Sequence, residues 1–166
     1  MDSRSVLRAF FRFVNRFIVV PAFRSGWGRI ISNSLTGDIM VLGIRGRKTG
    51  KIRYTPVSYA QIGQMIYCYQ GKEMKGQWYL NLLADPEVEV LLPGGRFSGR
   101  GEPVHDAAEK LLAIRQILLS SGLNRSMYGF DPEGAPDEVV QEKTKDIPVV
   151  RIRLDSSFKR ISAQDF

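Results

Sequence analysis

Residues 39–59 read IMVLGIRGRKTGKIRYTPVSY. Two runs rich in β-branched and aromatic residues flank a short basic segment. This predicts strands over Ile39–Arg45 and Lys51–Ala60, joined by a tight loop. Arg45, Arg47, Lys48, Lys51 and Arg53 put five cations into that loop and its flanks with no acid among them. Gly46 and Gly50 offer positive φ and close approach of the backbone to a ligand. Like charges held this close repel. Either the segment is a solvated hairpin tip or an anion belongs there, and a phosphate would accept hydrogen bonds from Arg, Lys and backbone N–H groups together. The segment is not a P-loop, because that motif needs Gly-Lys-Ser/Thr between a strand and a helix. Here Arg47, Lys48 and Thr49 follow Gly46, and a second strand comes next.

The rest of the chain limits what the charge means. The 166 residues point to one domain with a sizeable core, and 43% apolar with 25% charged residues describes a globular protein. Net charge is +7, yet it is local: residues 1–29 carry six Arg against Asp2, and residues 45–53 carry the five cations above. The remainder is slightly acidic, which argues against a nucleic-acid surface and for two distinct anionic partners. Cys68 is the single cysteine, so no intramolecular disulfide forms, as in a reducing compartment. It reads as a small buried hydrophobe. With His105 the sole histidine, no zinc site of usual composition can be built and no metal is expected. No nucleophile-elbow motif accompanies His105, which leaves hydrolase chemistry without a nucleophile.

Residues 4–20 read as an amphipathic helix. Arg4, Arg8, Arg12 and Arg16 form one stripe, while Leu7, Phe10, Phe11, Val14, Phe17 and Ile18 fill the opposite side, and Pro21 is expected to stop it near Val20. The uncharged run is far short of the roughly 20 residues of a spanning helix. The helix either packs over the body of the protein or lies in a membrane interface with Arg among the headgroups. A linker anchored by Trp27 follows, so residues 1–30 are read as helix and linker and residues 31–160 as the main body.

Beyond the first hairpin the pattern continues in short strands. Pro56 suggests an edge position or a bulge in the second strand. Strands are expected at Met65–Gln70, Val88–Leu92, Arg96–Pro103 and Ile147–Leu154. In the first of these, Tyr67 and Tyr69 face one way and Ile66 and Cys68 the other. Helices are expected from Gln77 (QWYLNLLA), from Asp106 to Ser121 with Asp106 and Glu109 resembling a capping box, and from Pro136. About six antiparallel strands joined mostly as hairpins, with no βαβ alternation, predict a mainly β (α+β) barrel with helices packed outside.

These residues resemble the deazaflavin-dependent nitroreductase family of the flavin/deazaflavin oxidoreductase superfamily, which has a split β-barrel fold. The resemblance is carried by RGRKTG at 45–50, by Arg53 and Thr55-Pro56, by Trp78-Tyr79-Leu80-Asn81-Leu82, by Ala84, Pro86 and Val88, and by Asp146-Ile147-Pro148-Val149-Val150. It implies coenzyme F420 as cofactor and residues 31–160 as a deazaflavin-binding barrel. Arg47, Lys48, Thr49, Gly50 and Arg53 would hold the anionic phosphate and polyglutamate tail. Thr55, Pro56 and Val57 would line the ring site, with Trp78, Tyr79 and Asn81 on the helix beside it. The chemistry implied is hydride transfer to an electron-poor acceptor such as a quinone, a nitro compound or an activated alkene. Tyr128 and Tyr69 are the candidates to hydrogen-bond substrate or donate a proton. FMN on the same fold, or a carrier that binds cofactor without turnover, are the alternatives. A lipophilic acceptor would suit a cytoplasmic protein held at the inner membrane face through residues 4–20. The family often has a Ser-Lys-Gly-Gly run after the third strand; this chain has Tyr69-Gln70-Gly71-Lys72.

Overall fold

The computed structural model describes residues 20–25, 37–71 and 76–155. Residues 4–19 of the helix expected at 4–20, Trp27 and Lys72 lie outside them. The described elements are α1 (Val20–Arg24), β1 (Ile39–Arg45), β2 (Ile52–Ile62), β3 (Met65–Tyr69), α2 (Gln77–Ala84), β4 (Glu87–Leu92), β5 (Gly95–Pro103), α3 (Ala107–Leu119), α4 (Asp137–Thr144) and β6 (Val149–Leu154), with a 3-10 turn at Gly122–Asn124. Six antiparallel strands close into a barrel in the order β1-β2-β3-β6-β5-β4, with β4 returning to β1. The mainly β, split-barrel α+β reading therefore holds.

Alternation along the strands divides the protein into an inside and an outside. Met40, Leu42, Ile44, Val57, Ile66, Cys68, Val88, Val90, Val150 and Ile152 fill the barrel, and Tyr79 and Leu82 of α2 join them. Tyr67 and Val149, pointing the other way, meet Ala113, Ile114, Ile117 and Leu118 of α3. The Asp106 side chain accepts from Glu109 N–H at 2.7 Å and starts α3. Only half of the expected capping box is built, because the Glu109 carboxylate instead accepts from Tyr67 Oη and Arg151 Nη1, both at 2.8 Å.

Two prolines behave differently from one another. The expected stop near Val20 belongs to a helix whose body lies outside the described residues; what is described is a short helix Val20–Arg24 with Pro21 in its first turn, closed by Ser25 N–H on Pro21 O at 2.9 Å. A proline in the first turn of a helix gives up an N–H that has no intrahelical partner anyway, and its fixed φ is already helical, so Pro21 is accommodated there. Val20 and Phe23 then pack on Val41 and Leu91, outside β1 and β4. Pro56 does sit at an edge, but a local one. β2 pairs with β1 from Ile52 to Ser58, whereas β3 pairs only with Tyr59–Ile62. Across from β1, the first half of β2 has no strand partner among the described residues, so the missing N–H of Pro56 breaks no ladder there.

Candidate functional site

The open half of β2 begins at the basic loop, whose turn is closed by its own backbone. Gly46 N–H donates to Lys51 O at 2.9 Å, and the N–H groups of Thr49 and Gly50 both donate to Gly46 O, at 3.1 and 2.7 Å. Gly50 takes φ +67°, a conformation costly to a residue with a Cβ. Gly46 does not share it, which corrects the expectation of two positive-φ glycines. Gly46 is buried, and a Cβ on it would stand 2.9 Å from Thr49 Oγ1 and 3.2 Å from Lys51 O. One glycine supplies a conformation and the other supplies room.

Helix α2 holds this loop in place. Asn81, only 6% exposed, accepts at Oδ1 from Arg47 Nη1 at 2.7 Å and from Arg47 N–H at 3.3 Å. Both η nitrogens of Arg47 also lie 3.3 Å from Gln77 Oε1. Arg45 reaches Asp85 Oδ2 at 3.3 Å and its Nη1 donates to Gly50 O at 3.2 Å. On the far side of the helix start, Trp78 Nε1 donates to Gln70 Oε1 at 2.9 Å, tying α2 to the end of β3.

The remaining three cations differ from these two. Lys48, Lys51 and Arg53 are exposed and form no ion pair among the described residues. Elsewhere Arg96, Arg100, Arg115, Arg125 and Arg151 each meet a carboxylate. The loop is therefore rich in donors whose charge nothing in the described chain neutralises, which suits a phosphate or carboxylate group.

Register decides which neighbours face together. Ile44, Leu42 and Met40 point into the barrel and stand opposite Arg53, Thr55 and Val57. Directly opposed residues share a face, so Arg53, Thr55 and Val57 form one inward row leading from the basic loop. Pro56 opposes Val41, which lies outside under α1, so its ring is turned away from that row. Trp78 packs at the rim of the barrel core, and Tyr79 is buried in it, edge-on to Trp78 with centroids 6.2 Å apart.

Tyr69, at the end of β3, and Tyr128 meet edge to face with centroids 6.0 Å apart. Tyr69 Oη donates to Met127 Sδ at 3.2 Å. Tyr128 Oη is buried and has no hydrogen-bond partner among the described residues; a Cβ on Gly71 would lie 3.6 Å from it. Burial pushes both phenols up; the Tyr128 hydroxyl adds to the rise at Tyr69, and the Tyr69 hydroxyl eases that at Tyr128. The two oxygens thus lie near one another, although Tyr69 Oη is directed to Met127 Sδ and makes no aligned hydrogen bond to Tyr128. Burial likewise pushes the Cys68 thiol up inside the barrel, as the small-hydrophobe reading expects.

Residues 17–127 match the model of the F420H(2)-dependent quinone reductase family. The chain belongs to this family. Curated relatives include an F420H(2)-dependent quinone reductase of Mycobacterium tuberculosis (strain ATCC 25618 / H37Rv), 30% identical over 89 residues. That alignment takes in 52% of this chain and 60% of the relative, so the chain spans only part of the curated relatives it matches. Among solved structures, one from Bacteroides thetaiotaomicron VPI-5482, described as a candidate 5-nitroimidazole antibiotic resistance protein, superposes with TM-score 0.52 at 20% identity. It covers 77% of this chain and 79% of its own. A conserved hypothetical protein from Mycobacterium tuberculosis gives TM-score 0.52 at 18% identity, covering 78% and 88%. These two likenesses speak to the barrel fold. Family membership implies coenzyme F420 as the cofactor, and the three unneutralised cations beside an open strand edge fit its anionic tail.

The structure gathers Arg47, Lys48, Thr49, Gly50, Arg53 and Asn81, all singled out in the sequence, at the β1–β2 loop and the helix beside it; Gln70, Gln77 and Asp85, which join the same contacts, were not singled out. The signal for two of those was present. Gln77 and Asn81 stand four residues apart, polar positions on one side of an otherwise apolar helix, and Asp85 follows at the same spacing just past its end.

Proposed function

We propose that this chain uses F420H2 to reduce a quinone-type acceptor. The observation that carries the reading is the set of unpaired cations Lys48, Lys51 and Arg53, at the end of the inward row Arg53-Thr55-Val57, in a chain of this family. When bound, the deazaflavin supplies the hydride. The work of the protein is then to hold the anionic tail with Lys48, Lys51, Arg53 and Thr49, on the turn that Gly50 closes. It also shields the ring from water with Thr55, Val57 and the Trp78–Tyr79 turn. Pro56 contributes stiffness to that strand. On this reading Tyr128 and Tyr69 border the acceptor, and the unpartnered Tyr128 hydroxyl is the group free to hydrogen-bond an acceptor oxygen.

The same reading assigns cofactor and acceptor to residues 31–160. Residues 4–20, with Arg on one side and Phe on the other, would then rest on the inner face of the cell membrane and let a lipophilic acceptor enter from the bilayer. No described helix is long and apolar enough to cross a membrane.

The test is a titration of the full chain with F420H2 and, separately, with FMN, followed by addition of menadione or a nitroaromatic. Binding of F420H2 with its oxidation on adding menadione supports the reading. Binding without oxidation replaces it with a carrier, and binding of FMN alone overturns it. Flotation with anionic liposomes, with and without residues 1–22, tests the membrane contact; full-length protein that ignores the vesicles at moderate salt removes it.

A further inference from the structure

The five cations of the basic segment are not equivalent. Gln77 and Asn81, one helical turn apart on α2, both take up Arg47, and Asp85, just past the end of the helix, takes up Arg45. Arg47 is held through its backbone N–H and both η nitrogens, and its chief acceptor is a buried amide oxygen. Arg45 bridges from Asp85 to the carbonyl of Gly50, the residue whose positive φ closes the turn. A planar guanidinium fork suits such multiple, directed contacts, where an ammonium group offers only a point charge. Lys48, Lys51 and Arg53 have no comparable partners among the described residues.

We infer that Arg47, with Asn81 and Gln77, is a positioning device. It fixes the β1–β2 loop on α2 so that Lys48, Lys51 and Arg53 present one preset anion-binding surface, and Arg47 itself is not a ligand contact. Asn81 shares this role, so the cofactor-binding assignment of both residues is replaced by an indirect one. The advantage is preorganisation: three repelling cations are confined before the anion arrives, and the ordering cost falls on folding instead of binding.

Two substitutions separate geometry from charge. Arg47→Lys keeps the charge and loses the fork. Asn81→Asp keeps an acceptor at the same position and offsets the Arg47 charge. The first measurement is amide hydrogen exchange over residues 46–51 of the full chain without cofactor. Protection is expected in the parent protein and in Asn81→Asp, and is expected to be lost in Arg47→Lys. The second is F420 affinity, which rests on the function proposed above. Arg47→Lys is expected to weaken it about tenfold, the scale of one charge-assisted hydrogen bond, while Asn81→Asp stays within about threefold. The reverse pattern, with Arg47→Lys binding normally and Asn81→Asp weak, would make Arg47 a charge that touches the ligand and overturn the inference. So would equal loss in both variants, or no change in either. Should the parent protein fail to bind F420, the function reading falls, and the exchange measurement still decides the role of Arg47.

Discussion

Gly101 of β5 makes the space that Leu82 of α2 occupies: a Cβ at position 101 would stand 2.8 Å from Leu82 Cδ1. Gly101 N–H also donates to Pro86 O at 2.9 Å, just past the end of α2. The glycine thus seats the helix that holds the basic loop. Gly101→Ala is expected to cost about 1–3 kcal/mol by overpacking, and Leu82→Ala about 2–5 kcal/mol through the cavity it leaves. Because each change partly relieves the other, the double variant should be less destabilised than the sum. Urea midpoints of the four proteins measure this. Additivity within about 0.5 kcal/mol would mean the two residues do not press on one another.

The three unpaired cations should matter to an anionic ligand and little to the fold. Single replacement of Lys48, Lys51 or Arg53 by Ala is expected to weaken F420 binding by about tenfold or more each, the effect shrinking with added salt. Melting temperature should hardly move, since each side chain is exposed. Arg100→Ala is the control: Arg100 is exposed and already paired with Glu87 at 2.7 Å on the outside of the barrel. Equal losses in Arg100→Ala and Lys48→Ala would reduce the basic loop to a general field effect.

The limits of the sequence reading follow from the same residues. The barrel was legible because alternation and hairpin turns are local signals: Ile66 and Cys68 turn inward and Tyr67 outward as period two requires. The basic loop was legible because its charge is concentrated. What charge alone could not reveal was which cations were already occupied, since that depends on residues more than thirty positions away on α2. Pro56 is similar. Its dipeptide with Thr55 was recognised, and alternation already puts the two side chains on opposite faces, but only the pairing of β2 with β1 shows that Thr55 is the one facing into the barrel. Gly46 and Gly50 look alike in sequence and differ in the structure, because one is constrained by φ and the other by neighbouring atoms.

Alkaline pH should unfold the protein earlier than its charge suggests. Burial raises the phenols of Tyr59, Tyr67, Tyr69, Tyr79 and Tyr128 and the thiol of Cys68. A folded-state pKa above the unfolded value means that the folded chain keeps protons the unfolded chain releases. Stability is therefore whole below the unfolded values, about 8.5 for Cys and about 10 for Tyr, and falls as pH rises through the folded ones. Urea midpoints are expected to be level near neutrality and to drop steeply above about pH 9–10. Tyr69→Phe and Cys68→Ala should each make that drop shallower, whatever their effect at neutral pH. A midpoint unchanged to pH 11 would show that these groups titrate in the folded protein as they do in water.

Tyr128→Phe separates a structural phenol from a working one. In the structure its hydroxyl is buried without a partner among the described residues, a situation that costs free energy. Removing the oxygen should leave stability unchanged or raise it by about 1 kcal/mol, the opposite of deleting a bonded hydroxyl. If the hydroxyl serves the acceptor, kcat with menadione should fall in the same variant while F420 affinity stays put. Tyr69→Phe gives the contrast, because that hydroxyl is already engaged with Met127 Sδ and its loss should leave kcat nearly intact. The discriminating result is the pair of signs in Tyr128→Phe. Equal or higher stability with slower turnover places the hydroxyl at the acceptor. Lower stability with unchanged turnover makes Tyr128 a packing residue whose oxygen finds a partner in solution, and the acceptor must then be oriented by other groups.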